Sequence, residues 1–408
     1  MKKIGRILNI RNFKKIIFIK LINIKKNLQI VIKKNIKKIK KKIKIGYVIK
    51  VYGKYGKTKS GEKSIFCKKI KILSKCNIFP NKYFKNVSKE LSYRKRYVDL
   101  VINKKSRYVF NKRFNLIKNI RKFFYKKKFT EVETPILNKI YSGADAEPFI
   151  TNHNFLKKKN YLRISPELNL KKLIVGGYEK IFEIGKNFRN EGCSKIHNPE
   201  FSMVEYYYVD KNYLDIMKFT KKMIKNVVKE TIGKKKIIFD NKILNFNKFK
   251  ILKIKEALFK YKKINNISKS FLIKKILKKT KILSYKKKNL IYQYFDEFIS
   301  KKIIEPTFII GHPKIFSPLA LERKGIVERF ELFIAGMEIA NGFSELNIAK
   351  EQKKRFEKQK NDYDIDFIKA LKFGLPKTAG CGVGIDRLVM LLTNCKNIKD
   401  VILFPFMK

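Results

Sequence analysis

Two stretches far apart in the chain carry side chains suited to holding a nucleoside triphosphate. The first is Phe188-Arg189-Asn190-Glu191, followed by His197 and Phe201; the second is Gly380-Cys381-Gly382-Val383-Gly384-Ile385-Asp386-Arg387-Leu388. An arginine forks onto phosphate oxygens, a glutamate accepts from an adenine amino group, and an aromatic ring stacks on the base. A second arginine, Arg387, arrives from a Gly-rich turn in which Gly384 lets the backbone approach a flat ligand. Neither stretch has the spacing of a phosphate loop or a Rossmann fingerprint. Each also has a plainer reading: Arg189 and Glu191 can pair as ions on an ordinary hairpin, and the glycines can serve close strand–helix packing.

Between them lies an acidic and apolar segment, from Glu328 through Glu331 and Glu338 to Asn341, Phe343 and Glu345. Several carboxylates are rarely buried without cations. Glu331 and Glu338 are candidates for Mg²⁺ that bridges ATP phosphates, while Asn341 and Glu345 remain for a cationic substrate. The apolar residues between these acids argue against a solvated acidic surface.

These groups need elements to aim them. Phe182 to Glu191 reads as a strand, on which Arg189 and Glu191, two apart, point into one cavity. The chain returns through His197-Asn198-Pro199-Glu200-Phe201 into a second strand, where Phe201, Met203, Glu205 and Tyr207 share a face. Arg387 falls in the first turn of an apolar helix. From Arg107 the apolar residues Phe110, Phe114, Ile117, Ile120 and Phe124 take helical spacing, and that helix ends before Phe129. Glu131-Val132-Glu133 alternates like a strand, and Thr134-Pro135 favours extended backbone. A second helix runs from about Asn212 to Thr231, with Leu214, Met217, Ile224, Val227 and Val228 inward and Gly233 at its end. Residues 234–300 are rich in lysine and isoleucine and read as a helical insertion.

The N-terminal part alternates apolar and polar residues in short runs, Ile16–Ile19, Leu28–Ile32 and Tyr47–Val51, which suggests a small β-barrel with a hairpin loop from Gly53 to Gly61. Pro80-Asn81 and the charged stretch ending Tyr93-Arg94-Lys95-Arg96-Tyr97 read as a hinge.

With 408 residues, 44% of them hydrophobic, the chain can bury a large core, which excludes wholesale disorder. A net charge of +66 points to a polyanionic partner. The abundance of Lys, Ile, Asn, Phe and Tyr with no Trp equally fits compositional drift, with lysines coating solvated faces. Cys67, Cys76, Cys193, Cys381 and Cys395 lack the paired spacing of zinc sites or disulfide frameworks, which suggests a reducing cytoplasm. Ile16 to Ile24 is interrupted by Lys20 and Asn23, so neither a signal peptide nor a membrane span is expected.

Taken in order, these stretches resemble the class II lysyl-tRNA synthetases of the bacterial type over almost the whole chain. Thr130-Glu131-Val132-Glu133-Thr134-Pro135-Ile136-Leu137 is similar to that family's motif 1, Phe188 to Tyr207 to motif 2, and Gly382 to Leu392 to motif 3. Tyr161-Leu162-Arg163-Ile164-Ser165-Pro166-Glu167-Leu168, Gly342-Phe343-Ser344-Glu345-Leu346-Asn347 and Val401-Ile402-Leu403-Phe404-Pro405 resemble its lysine-specific members. Relatives specific for aspartate and asparagine typically have glutamine at the place of Glu167. An ε-ammonium needs anionic acceptors in a partly dehydrated pocket, which Glu167 and Glu345 supply.

The resemblance implies an α+β fold: an antiparallel class II sheet flanked by helices, joined to an N-terminal OB-fold barrel that binds the anticodon. It places the barrel at residues 1–80, the hinge at 81–105 and the catalytic domain at 106–408. Arg189 would bridge the substrate carboxylate and the α-phosphate, and Arg387 would join it in catalysis. Glu191 would read the adenine, Phe201 and Arg387 would sandwich it, and His197 with Arg387 would reach the outer phosphates. Glu331 and Glu338 would bind Mg²⁺, and Glu167, Arg189, Tyr207, Asn341, Phe343 and Glu345 would hold lysine. Phe18, Gln29 and Glu62 fall at the family's anticodon contacts. The implied partners are ATP, L-lysine, tRNA(Lys) and a second copy of the chain, paired through the motif 1 helix and the Pro135 strand.

Three places depart from the family. Ile196, with Lys195 beside it, stands where an arginine usually precedes the motif 2 histidine, and an ammonium lacks the planar fork of a guanidinium. Glu147 replaces a commonly basic residue. The chain starts at the first barrel strand without the basic extension of many relatives, and the barrel's connecting helix is reduced to the lysine run Lys33 to Lys44. Two rival readings are a paralogue that passes lysine to a protein, which would lack the barrel, and a basic nucleic-acid-binding protein with relic motifs, against which intact Arg189, Glu191, Glu338 and Arg387 argue.

Overall fold

Alternating apolar residues roll the N-terminal part into a barrel. The structure, a computed structural model, describes residues 1–22, 27–33, 38–39, 42–77, 88–141, 143, 146–262, 290–358 and 363–407. It divides into two compact units, Met1–Lys104 and Lys105–Lys408. In the first unit, strands β1 (Lys2–Asn12), β2 (Ile17–Ile22), β3 (Asn27–Ile32), β4 (Val48–Lys57) and β5 (Lys63–Ser74) close in the order β1-β2-β3-β5-β4. Ile17, Ile19 and Leu21 point inward with Ile7, Ile30, Ile32, Ile49, Val51 and Ile65. The three expected runs fall on β2, β3 and β4, and the closing strands β1 and β5 are additional. The expected loop from Gly53 to Gly61 is mostly strand, since β4 stays paired to β5 as far as Lys57 opposite Lys63.

Part of the lysine run between Lys33 and Lys44, and residues 81–87 of the expected hinge, lie outside the described residues. The rest of the hinge stretch forms helices α1 (Lys89–Arg94) and α2 (Arg96–Ile102), the latter held by a buried Arg96–Asp99 ion pair at 2.8 Å.

The second unit opens with α3 (Lys104–Lys126) and β6 (Thr130–Glu131), continues through a small sheet of β7 (Leu137–Asn138), β8 (Ile150–His153) and β9 (Lys158–Leu162), and enters α4 (Glu167–Val175). The hairpin β10 (Lys180–Phe188) and β11 (Glu200–Val209) leads into α5 (Tyr213–Ile232). Asn212 caps α5 by accepting from the N–H of Asp215 while Asp215 accepts from that of Asn212, and Gly233 ends it at a φ of 89°, where any Cβ would be strained.

Beyond it the structure corrects the expected helical insertion. Residues 236–253 form β12 (Lys236–Phe239), β13 (Lys242–Asn245) and β14 (Lys250–Lys253); helix begins only at α6 (Ile254–Lys262) and resumes at α7 (Leu290–Tyr294), and 263–289 lie outside the described residues. Asp240 and Asn241 both take positive φ, the two-residue turn that reverses a twisted hairpin. The remaining elements are β15 (Thr307–Ile310), β16 (Glu322–Arg323), β17 (Ile326–Val327), β18 (Arg329–Ile334), β19 (Met337–Ser344), α8 (Ala349–Glu357), α9 (Ile365–Gly374), β20 (Thr378–Gly384) and α10 (Ile385–Thr393).

Eight strands form the central sheet in the order β14-β15-β18-β19-β20-β11-β10-β6. Pairing is antiparallel except at the two edges, β14 with β15 and β10 with β6. Successive side chains on a strand face opposite ways, so β11 sends Val204 and Tyr206 into the core with α3, α5 and α10, and Tyr207 into a second cluster with α4 and α9. Two expected inward residues face outward: Phe114 is 50% and Leu214 39% exposed. On α3 the expected Phe110, Ile120 and Phe124 are buried, and the rest of the stripe runs through Val109, Arg113, Leu116 and Phe123 rather than Phe114.

Candidate active site

The β10–β11 hairpin sets the geometry. Its register pairs Phe188 with Glu200 and Ile181 with Tyr207, and Phe201, Met203, Glu205 and Tyr207 do share one face of β11. Arg189 and Glu191 do not sit on the strand as expected, because β10 stops at Phe188. Arg189 is fixed one step beyond it, its N–H donating to Pro199 O at 2.8 Å, and Asn190 N–H donates to Glu147 O at 2.8 Å. The Arg189 guanidinium lies 5.2 Å from the centre of the Phe201 ring, and its Nε is buried without a hydrogen-bond partner. Glu191 is exposed in the following loop, and no ion pair joins it to Arg189 among the described residues.

That loop is tied down around Ile196. Ile196 packs its side chain against the main core and accepts from Arg387 Nε through its carbonyl at 3.4 Å. Lys195 O accepts from Ile398 N–H at 2.8 Å, and Ser194 Oγ lies 2.8 Å from His197 Nδ1. Partial desolvation of the exposed ring, with Arg387 and Arg189 nearby, holds the His197 imidazole below its ordinary pKa.

Arg387 stands in the first turn of α10, which Gly384 precedes as N-cap. Its Nη1 donates to Glu338 O at 2.7 Å, and burial pulls its pKa down. Neighbouring Asp386 locks the turn: it accepts from Ser202 N–H at 2.7 Å and from Arg113 Nη1 at 2.5 Å. The other motif contacts also converge on arginine. Arg163 Nη1 donates to Glu183 Oε1 at 2.5 Å and to Thr134 Oγ1 at 3.1 Å, while its Nε donates to Lys186 O at 2.9 Å.

Glu331 and Asn341 face each other across β18 and β19, and both are engaged by Arg329, at 2.5 Å and 3.1 Å. Partial burial, with its side chain 40% exposed, and the charge of Glu331 raise the pKa of Glu338. Asp296 is pushed up to about 6 by burial and by Glu331 and Glu338. Among the described residues no group of three or more His, Cys, Asp or Glu is placed to hold a metal unaided. Glu331, which gives one oxygen to Arg329, and Glu338 are hard carboxylates that fit Mg²⁺ through their remaining oxygens, since Mg²⁺ commonly takes one or two protein carboxylates and completes its shell with phosphate and water.

Near Arg163 and Arg329 lies a cluster of buried acids. Glu167 begins α4, its N–H donating to Ser165 Oγ at 3.1 Å. Glu205 accepts from Tyr207 OH at 2.7 Å. Burial first, then the charge of Glu167, pushes Glu205 up to about 8, and burial also lifts Glu167 and Glu345 above the usual carboxylate range. Gly380 lets this wall close: a Cβ there would meet the Tyr207 ring at 2.4 Å and Glu345 Oε1 at 2.9 Å. Sequence reasoning missed Lys171, which is fully buried between Glu167 and Glu345, and also Glu205. Lys171 stands four residues after Glu167, one helical turn on, which is the signal that could have found it.

On the barrel, Phe18 points away from the core and carries Arg11 at 5.7 Å from its ring centre and Phe13 edge-on at 5.6 Å. Gln29 accepts from Arg11 Nη2 at 2.9 Å and donates to Ser64 Oγ at 3.0 Å. Glu62 is exposed in the turn between β4 and β5, where its N–H donates to Thr58 Oγ1 at 3.1 Å. Phe18 and Gln29 thus join one outer face through Arg11, and Glu62 stands at the turn beside Ser64.

Comparison with known proteins accounts for both units. Residues 88–408 match the class II tRNA synthetases (D, K and N), and residues 4–73 match the OB-fold nucleic acid binding domain. A lysine–tRNA ligase of Wigglesworthia glossinidia brevipalpis is 46% identical over 430 residues, spanning 99% of this chain and 87% of that protein. One of Buchnera aphidicola subsp. Cinara cedri is 48% identical over 433 residues, with 99% and 86% covered. One of Helicobacter hepaticus is 45% identical over 434 residues, with 99% and 83% covered. This chain belongs to the class II tRNA synthetases of the D, K and N group, with an OB-fold nucleic acid binding domain at its N-terminal side.

Proposed function

We infer that this chain is an ATP-dependent lysine–tRNA ligase, which activates L-lysine as lysyl-adenylate and passes the lysyl group to the 3′ end of tRNA(Lys). The observation that carries the substrate is the buried cluster of Glu167, Glu205 and Glu345 beside Tyr207. Its acceptors suit an ammonium and repel the side-chain carboxylate of aspartate. The relatives named lysine–tRNA ligase support the same choice within the group.

In the first step a lysine carboxylate oxygen attacks the α-phosphorus, the bond to the bridging oxygen of the β-phosphate breaks, and pyrophosphate leaves. Arg189 bridges the carboxylate and the α-phosphate, and its unpartnered buried Nε supports that role. No protein nucleophile takes part. Glu191 reads the adenine amino group, Phe201 and Arg387 enclose the base, and Gly384 lets the backbone near. His197 and Arg387 reach the outer phosphates, His197 as a neutral donor because its pKa is depressed. Glu331 and Glu338 would hold Mg²⁺, which when bound draws charge from the phosphate oxygens. Tyr207, Asn341 and Phe343 complete the lysine pocket. In the second step the terminal 3′-hydroxyl of tRNA attacks the lysyl carbonyl carbon and AMP leaves.

The barrel of residues 1–80 would bind the anticodon through Phe18, Gln29 and Glu62, with 81–105 as hinge and 106–408 as catalytic domain. Two copies would pair through α3, whose exposed Phe114 and Tyr125 offer apolar surface. The cytoplasm is the proposed location, supported by five free cysteines and by the absence, among the described residues, of a helix long and apolar enough to cross a membrane. The test is lysine-dependent exchange of labelled pyrophosphate into ATP, together with charging of tRNA(Lys) by the purified chain. No lysine-dependent exchange would defeat the proposal, and exchange without charging would favour transfer of lysine to a protein.

A further inference from the structure

Lys171 has no part in these steps, yet it is completely buried among the acids assigned to lysine. Its Nζ donates to Glu167 Oε1 at 2.6 Å and lies against Glu345 Oε2, with the rings of Phe343 and Phe367 at 5.5 Å and 5.8 Å. Burying an ammonium costs several kcal/mol unless carboxylates offset it, so roughly that much depends on these partners. Each carboxylate meets Lys171 with one oxygen and keeps the other. Glu345 Oε1 is buried without a hydrogen-bond partner and lies close to Gly380, while Oε2 meets Lys171 as an ion pair only.

The flanking charges cancel in pairs, Glu183 with Arg163 at 2.5 Å and Glu331 with Arg329 at 2.5 Å. Among the described residues, what remains is Glu167, Glu205 and Glu345 against Lys171. Lysine brings an ammonium at each end, and its carboxylate is matched by Arg189. We propose that Lys171 is a positioning residue of the lysine pocket: it cancels the charge of one buried carboxylate and turns the free oxygens of Glu167 and Glu345 toward the substrate, leaving a deficit that the α- and ε-ammonium groups of lysine fill. This rests on assigning the pocket to lysine. In the empty pocket the deficit is met by a proton, which agrees with Glu205 being pushed up to about 8.

The experiment follows protons. Calorimetric titration of the wild-type chain with lysine, in buffers of different ionisation enthalpy near neutral pH, should show release of about one proton per lysine bound. In Lys171→Met, which keeps the apolar stem, one carboxyl must hold a proton in place of the ammonium. That proton stays through binding, so release should remain about one, while kcat/KM for lysine in pyrophosphate exchange should drop by about 100-fold. In Lys171→Ala, ethylammonium should recover at least about tenfold of the loss and ethanol should not. If that variant melts too low for assay, a rise in its Tm with ethylammonium alone reads the same distinction. A kcat/KM within about threefold of wild type in Lys171→Met would overturn the proposal, as would equal rescue by ethanol. A wild-type chain that neither binds nor activates lysine would instead overturn the pocket assignment, and this inference with it.

Discussion

Asp386 accepts a hydrogen bond from the backbone N–H of Ser202 at 2.7 Å, and this contact pins the first turn of α10 to strand β11. Arg387 is the next residue, so the place of one arginine is set by the carboxylate of its neighbour. Arg113, reaching from α3, shares that carboxylate and also donates to Ser202 Oγ at 3.0 Å. Ser202 is one residue from Phe201, so the aromatic and the arginine that are proposed to enclose adenine hang from the same buried junction.

Asp386→Ala should therefore damage both stability and activity. Removing one partner of a buried ion pair leaves the other uncompensated, at a cost of about 3 kcal/mol or more. Urea unfolding should show the lost stability, and pyrophosphate exchange at a temperature where the variant is folded should show a raised KM for ATP. Wild-type values in both would break the proposed link between Asp386 and Arg387.

Gly380→Ala tests how tightly the pocket wall is drawn. The new Cβ would meet the Tyr207 ring at 2.4 Å and Glu345 Oε1 at 2.9 Å. Relieving such contacts requires the wall to move by on the order of 1 Å, and a misplacement of that order costs about 100-fold in rate when it moves substrate-positioning groups. The loss should fall on kcat/KM for lysine, while KM for ATP stays near wild type.

Lysine binding should weaken in acid. Glu205, pushed up to about 8, holds its proton below that pH, and a bound ammonium favours the ionised form. Proton and lysine therefore compete, and KM for lysine should rise by up to roughly tenfold for each pH unit below about 8. Glu205→Gln should flatten the profile in this range. A KM for lysine that falls with falling pH would have the wrong sign.

Phe18→Ala on the barrel should act on tRNA alone. Stacking of a base on an aromatic ring is worth about 1–3 kcal/mol, so KM for tRNA should rise roughly tenfold or more. Pyrophosphate exchange, which uses only lysine and ATP, serves as the control and should hold its wild-type rate.

The legible parts of this chain were those written in local chemistry. Asn212 and Gly233 marked the ends of α5 because one side chain caps an N-terminus and one residue tolerates positive φ. The alternation from Phe201 to Tyr207 marked the inward face of β11. The end of β10 was not legible, since Arg189 keeps strand-like pairing to Pro199 and only the lack of a further ladder partner stops the strand. Phe114 and Leu214 were misplaced because a helical stripe is wide, and tertiary packing chose Leu116 and Ile216 as its centre. The strands at 236–253 were hidden by lysine-rich composition, although Asp240-Asn241 carried a turn signal. Lys171 was one cation among 99 lysines and arginines, and its only local mark was its place one helical turn after Glu167.

The most direct measurement is pyrophosphate exchange by the wild-type chain with lysine, aspartate and asparagine offered separately. The pocket of Glu167, Glu205 and Glu345 predicts exchange with lysine and none above background with the other two. Exchange supported by aspartate or asparagine, or by none of the three, would contradict the account.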